Sequence, residues 1–430
     1  MPVIGGVRLV VADRLKAVVA GGGIAGLGSA VALAGAGWDV TVLERAEALG
    51  EVGAGLAITG NGMAALAALG LDAEVRAAGY QTTTAGYQDP AGRWLMRIPD
   101  RPGLRAVTTI CGLQRQRLHA VLREAARAAG VSDLVTGAEV VAVEAGVPGA
   151  APAIVTWRTA DQGSAAGERS DREHAAEADL VVAADGVHSA IRASLFPAVR
   201  PRYGGSTSWR AIVPDTTSDG RLVAAWGPGA EFGALRVSDS EMYWYGYFRS
   251  PEGMQFTDEL SAARRRFDSW APWIRDLVTA TSAADLMRHD VYHLPDGLPS
   301  YASGRVVFAG DAAHAALPTA GQGAALAFED AVCVGRLIGA PVRAGGDMAA
   351  AMVAFDQARR MRCQRIVRTA IAIGRFGSDL PGGWRQHVRN AALRVSPAGP
   401  MIRIGKPVVR WSPPQRMRPA PAQVRRQDRR

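Results

Sequence analysis

Residues 17–38 form a run of 22 without a charge, and six glycines lie between residues 17 and 36, three of them consecutive. A run of that length, preceded by Arg8, Arg14 and Lys16, meets the crude requirement for a membrane span or a secretion signal. The glycines argue against a helix through all of it, since each weakens a helix by about 1 kcal/mol relative to alanine. A strand, a tight turn and a helix explain the same residues better. Residues 15–20 (LKAVVA) read as a short buried strand, GGGIAG as the turn, and about 25–35 as an apolar helix. A second strand, 39–43 (DVTVL), ends at Glu44. Strand, G-x-G-x-x-G, helix, strand and acid is the order of a dinucleotide-binding unit. Gly21 permits the turn, Gly23 lets the backbone approach a pyrophosphate, and Gly26 lets helix and strand pack closely. The phosphates would sit on free N–H groups at the helix start. Glu44, 18 residues past Gly26, stands where a carboxylate can accept both ribose hydroxyls. Alone, the fingerprint leaves FAD and NAD(P) open.

At 430 residues the chain exceeds one ordinary domain, so two domains, or two with an appendage, are expected. Its net charge of +9 invites a nucleic-acid partner only until it is mapped. Residues 359–430 carry 18 Arg and Lys against Asp379 and Asp428, whereas the first 358 residues are net −7. No nucleic-acid partner is expected. The arginines would pack a C-terminal helix, cover the acidic body or lie in a tail. Cys111, Cys333 and Cys363 form no CxxC pair and no disulfide framework, which fits a reducing cytoplasm. No other stretch supports a membrane span or export.

Two later segments settle the cofactor. Residues 178–192 (ADLVVAADGVHSAIR) run from an apolar strand into Asp185-Gly186, with Ser189 and Arg192 at a helix start. Residues 304–331 contain a second buried strand ending in Gly310-Asp311, then Pro318, a Gly-Gln-Gly turn and a helix. With GGGIAG, these segments resemble the group A flavoprotein monooxygenases, the aromatic hydroxylases that include salicylate and p-hydroxybenzoate hydroxylases. The resemblance spans roughly residues 15–345. It implies an α/β fold, with a Rossmann-like FAD-binding domain interleaved with a smaller, mainly antiparallel β-sheet substrate domain.

The resemblance also implies roles. Gly21, Gly23, Ala25, Gly26, Glu44 and Arg45 would hold the ADP half of FAD. Asp185, with Gly186, Ser189 and Arg192, would bridge the pyrophosphate region and the NAD(P)H approach, and Asp311 would bond the ribityl chain. Gly321, Gln322, Gly323 and Ala324 would present N–H groups to the isoalloxazine ring, beside Pro318 near flavin C4a. Residues 53–70 put Ala57 against FAD, and 113–122 (LQRQRLHAVL) bring Arg115 to the flavin side. Gly60, Arg117 and Ala325 depart from the family's usual proline, aspartate and asparagine. The implied chemistry is NADH- or NADPH-dependent oxygen transfer from O2, through a flavin C4a-hydroperoxide, to an aromatic or other electron-rich small molecule. Such chemistry needs no nucleophilic triad and no metal. His289 and His293 lie i,i+4 but in a segment without helical character, and His314 reads as loop packing.

Substrate contacts are expected from residues 200–299, where strands alternate with turns. Alternation in 242–248 (MYWYGYF) puts Tyr243, Tyr245 and Tyr247 on one face and Trp244 and Phe248 on the other. Tyr245 would orient or deprotonate a hydroxylated aromatic, or simply line the pocket. Arg210 would pair with a substrate anion or a surface carboxylate, with the latter preferred. The FAD-binding domain is drawn at 1–80, 106–198 and 300–345, and the substrate domain at 81–105 and 199–299. Residues 146–178 read as a hairpin or loop insertion and 1–14 as a frayed extension. In 346–430 a long helix (352–373) precedes a Pro/Arg-rich basic tail. A monomer or homodimer is expected. Rival readings are an epoxidase or Baeyer–Villiger-type monooxygenase, and a binding protein that keeps the fold without redox activity. A flavin halogenase needs a lysine between flavin and substrate, and Lys16 and Lys406 are the chain's two lysines.

Overall fold

A computed structural model describes residues 14–50, 54–160, 171–215 and 220–415. The N-terminal extension, Gly53, the middle of the 146–178 insertion and the tail beyond 415 lie outside the described residues. Lys16–Ala20 is a strand with four of its five residues buried, and Ile24–Gly35 is the helix that follows. Around that strand a six-stranded sheet runs in the order Ala302–Ser303, Val306–Phe308, Leu180–Ala183, Lys16–Ala20, Asp39–Leu43, Asp133–Val135. Every pairing is parallel except that of the short Ala302–Ser303 edge strand. Parallel strands have helices on both faces, so their residues read as unbroken apolar runs, as in LVVA and VVF. The described part of the 146–178 insertion includes strands Ala153–Ala160 and Asp171–Ala178, which pair with Ala138–Glu144 in a three-stranded antiparallel sheet.

The second large sheet runs Met287–His293, Arg202–Pro214, Glu241–Arg249, Ala230–Ser238, Leu222–Gly227, Tyr80–Gln88, Thr109–Gln114, Gly55–Thr59, with Trp94–Arg97 paired beside Tyr80–Gln88. It is antiparallel apart from the pairing of Leu222–Gly227 with Tyr80–Gln88. Gly55–Thr59 and Thr109–Gln114, assigned by sequence to the cofactor part, are strands of this sheet. Their backbones bond to it, while Ile58, Cys111 and Leu113 pack with Leu27, Leu118 and Phe328 of the cofactor part. The two halves therefore share a wall.

Two expectations need correction. Residues 200–299 contain two helices, Glu259–Phe267 and Pro272–Thr279, not only strands and turns. Asp258 caps the first by accepting from Ser261 N, and Pro272 opens the second. Both cover the outer face of the large sheet, burying Trp209, Phe232, Trp244 and Phe248. Burial of a side chain such as Phe232 contributes roughly 1.5–3 kcal/mol. At the other end, the long helix runs Met348–Phe376 and is followed by two more, Trp384–Val395 and Ala398–Val409, where a tail was expected. Polar residues face inward on Trp384–Val395: Gln386 and Arg389 are buried with Leu393, and Arg389 lies over the Trp226 ring at 5.2 Å. An inward arginine is invisible to an apolar-periodicity reading. His289 and His293 lie on strand Met287–His293, where an i,i+4 pair is about 13 Å apart along the chain.

Candidate active site

The ends of Lys16–Ala20, Leu180–Ala183 and Val306–Phe308 lie side by side, and the segments that leave them border a cavity of about 810 Å³. Ligands of open α/β sheets sit at such strand ends. Gly21 adopts φ +102°, and a Cβ there would stand 2.3 Å from Ala184 O. A Cβ on Gly26 would be 1.8 Å from Gly21 O, so the helix packs on the turn only with glycine there. Gly23 is different: a Cβ would meet nothing within 4 Å, because this backbone faces the cavity directly. The first N–H groups of Ile24–Gly35 have no acceptor within the helix and carry its positive dipole end. Ala25 lines the cavity and packs so close to Gly310 that a Cβ on Gly310 would lie 2.6 Å from its methyl. Glu44 is fixed at the next strand end, accepting from Gly22 N (2.7 Å) and Ala46 N (2.9 Å), with Arg45 exposed beside it.

The other two motifs face this loop. Asp185 accepts from Ile191 N through one oxygen, while its buried Oδ1 has no partner among the described residues. Burial raises its pKa against the hydrogen bonds from Ser189 and Ile191. Ser189 and Arg192 do not point at the cavity: Ser189 Oγ accepts from Arg192 N, and the buried Arg192 guanidinium donates to Val187 O and Ala312 O. They tie the two motifs together. Asp311 is open to the cavity at the start of Asp311–His314. Pro318 opens the next turn, and Gly321, at φ +60°, donates its N–H to Pro318 O at 2.8 Å. That N–H is therefore used by the turn and not offered to a ring. Gln322 turns its side chain away, bonding Asn61 and Thr59. Gly323 and Ala324 begin Gly323–Cys333, with helix-start N–H groups beside the cavity. Ala57 and Arg115 complete this side. The carboxylate at a strand end, the bare Gly23 backbone, two helix starts and the orphaned Asp185 oxygen fit FAD.

The opposite wall is one face of the large sheet. Arg210 and Tyr245 are direct cross-strand partners, as are Ser208 and Tyr247, and Ile212 and Tyr243. Tyr243, Tyr245, Tyr247, Ser208 and Arg210 all line the cavity. Arg210 donates to Ser208 Oγ at 3.3 Å, and no carboxylate lies within ion-pair distance of it among the described residues. The surface-carboxylate expectation for Arg210 is therefore not met. Arg115 and Arg210 are close enough that burial and Arg210 lower the Arg115 pKa, with Asp311 opposing. Burial and both arginines also lower that of His289. The part of the wall around Arg115 and Arg210 is electropositive and suits an anion or a developing oxyanion.

A family profile described as FAD binding domain matches residues 14–370. The chain belongs to this family. It is 33% identical over 369 residues to the aurachin C monooxygenase/isomerase of Stigmatella aurantiaca, covering 84% of this chain and 90% of that protein. It is 30% identical to the 2-heptyl-3-hydroxy-4(1H)-quinolone synthase of Pseudomonas aeruginosa, covering 89% and 94%. Among solved structures it resembles Klebsiella pneumoniae HpxO complexed with FAD and uric acid, with a TM-score of 0.75, 25% identity, and coverage of 92% of this chain and 96% of that one. The chain is an FAD-dependent monooxygenase.

Several residues of the monooxygenase site were not singled out by sequence. His119 Nε2 lies 2.8 Å from Gly22 O, an acceptor only, so this nitrogen carries a proton that holds the fingerprint loop. Glu231 lines the cavity and accepts from Tyr245 Oη (2.8 Å) and Trp226 Nε1 (2.9 Å). Its one sequence signal is a lone acid in the apolar strand AEFGALRVS, at the parity of Gly233 and Leu235. Behind the Gly-Gln-Gly turn, Asn61 donates to Gln322 and Glu329, and Glu329 and Asp330 are held by Arg359 and Arg362 of the long helix. His314 bonds Asp330 there at 2.6 Å. His314, Asp330 and Cys363 have ligand-type spacing, but the Arg359 guanidinium already occupies Asp330, which opposes a cation. Among the described residues, no helix is long and apolar enough to cross a membrane.

Proposed function

We propose that this monooxygenase is a single-component enzyme that takes electrons from NADH or NADPH and puts one oxygen atom of O2 onto an electron-rich aromatic or heteroaromatic small molecule. The observation that carries this reading is the meeting of the FAD motifs with the Arg210–Tyr245 wall in one cavity. The likeness to the 2-heptyl-3-hydroxy-4(1H)-quinolone synthase, beside that to the aurachin C monooxygenase/isomerase, favours a quinolone-like ring. Bound FAD supplies the activation of O2. The chain would bind the cofactor with Gly21, Gly23, Ala25, Gly26, Glu44, Arg45, Ala57, Arg115, Asp185, Asp311 and the 321–324 turn. Pro318 closes the cavity beside that turn, and the sheet face excludes water from the ring being oxidised. Arg210 would hold an anionic or carbonyl oxygen of the substrate. In this reading residues 1–80, 106–198 and 300–345 are the FAD-binding domain, 81–105 and 199–299 the substrate domain, and 346–430 the C-terminal helical and basic region, whose described helices between 348 and 409 pack on both. Three cysteines, all buried thiols, accord with a cytoplasmic enzyme.

The test is a purified protein that is yellow and consumes NADH or NADPH faster when a quinolone or hydroxylated aromatic is added. Peroxide is assayed in parallel, and product mass after reaction with heavy-isotope O2 must rise by one labelled oxygen. A colourless protein that takes up no FAD sinks the reading. Substrate-stimulated peroxide release without labelled product would turn it into an oxidase.

A further inference from the structure

Helix Trp384–Val395 is built inside out. Its inward face is largely polar: Gln386 and Arg389 are buried beside Leu393, and Arg389 donates to Phe376 O (3.1 Å) and Gly377 O (2.9 Å) while lying against the Trp226 ring. At about 100° per residue, Trp384, Val388, Ala391 and Val395 fall on the opposite face, within about 60° of one another. All four are exposed, Trp384 at 71%, Val388 at 58% and Val395 at 82%. Among the described residues eight large hydrophobic side chains are exposed, and three of them share this stripe, where scatter would separate them. The helix cannot roll over to hide the stripe, because its other face is fixed. Leu393 packs with Leu95 and Trp226, and Arg394 holds Asp89 at 2.8 Å.

The surroundings of the stripe are cationic. Arg385 flanks it on one side and lies over the Trp384 ring at 5.6 Å, and Arg394 and His387 flank it on the other. Strand Trp94–Arg97, on which the helix packs, adds the exposed Arg97, and the turn before it adds Arg93. Asp89 is the carboxylate that Arg93 and Arg394 share, which leaves these four arginines in excess. From residue 380 to residue 427 the chain has ten basic residues and no acid. A tryptophan and two valines edged by arginines match the chemistry of an anionic lipid surface, where apolar atoms enter the headgroup boundary and cations meet phosphate. A second copy of the chain fits less well, since two-fold pairing through the stripe would set one helix's arginines against the other's. Twelve residues of helix rise about 18 Å against a hydrocarbon core of about 30 Å, so this helix can lie on a bilayer but cannot cross it.

We propose that the outer face of Trp384–Val395 docks the folded enzyme on an anionic lipid surface, with Trp384, Val388 and Val395 in the headgroup boundary and Arg385 against lipid phosphate. Docking is peripheral and reversible, because a few apolar side chains and cations make a weak anchor. The next helix, Ala398–Val409, borders the cofactor cavity at Gly405 and Val409, so the docking face runs on in the chain into a wall of the site.

The test is flotation of the full-length, FAD-loaded protein with vesicles of phosphatidylcholine alone or mixed with phosphatidylglycerol. It reads binding and not turnover, so it is independent of the monooxygenase reading. The wild type is expected to float with the anionic vesicles, to stay behind with the neutral ones, and to be released by NaCl as its charges are screened. Trp384→Ser combined with Val388→Ser should weaken binding by about tenfold or more, roughly 1.4 kcal/mol. Arg385→Glu should weaken it by about fivefold or more. None of these side chains lines the cavity, so flavin content and the urea midpoint should match wild type and mark the variants as folded. Equal flotation of the wild type and the double variant would mean that the basic tail binds by itself, and would overturn the proposal. Flotation with neither vesicle, or equally with both, overturns it too. Concentration-dependent dimerisation in sedimentation that the double variant abolishes would give the stripe to a second copy instead.

Discussion

Gly233 shows how much one missing methyl group can decide. Any side chain there would drive into the Tyr245 ring, with contacts of 2.3–2.4 Å, and backbone on a central strand has little room to yield. Gly233→Ala is expected to displace Tyr245 from Glu231 and lower substrate-stimulated NAD(P)H oxidation by about tenfold or more, since a lost positioning contact of about 1.4 kcal/mol is tenfold in rate. FAD occupancy, read from the flavin spectrum, should stay near wild type because the cofactor loop is untouched. Glu231 gives a pH prediction with a definite sign. Burial raises its pKa in the folded state, so the folded protein holds that proton more tightly than the unfolded chain. Its contribution to stability is present below the ordinary carboxylate range and falls away as pH rises through the raised value. Glu231→Gln removes that fall. Melting temperatures of the two proteins across acid to neutral pH should diverge in the variant's favour on the neutral side, and parallel curves would refute the assignment.

At the scale of elements, the long helix Met348–Phe376 is joined to the cofactor turn by charge. Arg359 is fully buried and donates to Asp330 (2.6 Å) and Glu329 (2.5 Å), and Glu329 also accepts from Arg362 and Asn61. Asn61 in turn holds Gln322 beside the cavity. Removing one partner of a buried ion pair leaves the others uncompensated, typically at 3–5 kcal/mol. Arg359→Ala is therefore expected to lose stability on that order in a urea titration. An unchanged midpoint would mean that water replaces the guanidinium. The fingerprint helix depends on a contact of the opposite kind, steric and not electrostatic. Gly26→Val puts carbon where Gly21 O stands and should abolish flavin binding, visible as a colourless purified protein.

For the whole molecule, the cavity is bordered by stretches from residue 20 to residue 409, so an FAD bound there would join parts of the chain that no single segment unites. A ligand that binds only the folded state stabilises it by about 2.7 kcal/mol at a hundredfold excess over its Kd. Stripping FAD should lower the melting temperature, and restoring it should recover the loss in proportion to the logarithm of its concentration. The basic C-terminal stretch takes on a different meaning at this scale. Arg359, Arg362 and Arg389 are structural side chains turned into the acidic body, which accounts for part of the charge that a sequence average assigns to the surface.

Local chemistry made much of this protein legible in its sequence. A glycine at a positive φ, an uncharged strand and an acid at a strand end depend on neighbours a few residues away, so GGGIAG, Asp185, Asp311 and the alternation of Tyr243, Tyr245 and Tyr247 could be read directly. What sequence could not supply were pairings between distant strands. Arg210 stands across from Tyr245 because Arg202–Pro214 pairs in one register with Glu241–Arg249, and a slip of one residue would send Arg210 to the opposite face. Glu231 meets Tyr245 only because Gly233 opens the path. The helices at 259–279 and 384–409 escaped notice for local reasons: the first two are short, Trp384–Val395 buries arginine where periodicity looks for leucine, and Ala398–Val409 carries Pro407 inside the helix. The sequence determined the loops of the candidate cofactor site because they are made of backbone conformation. Tertiary structure decided the facing candidate substrate wall because that wall is made of side chains brought together by strand register.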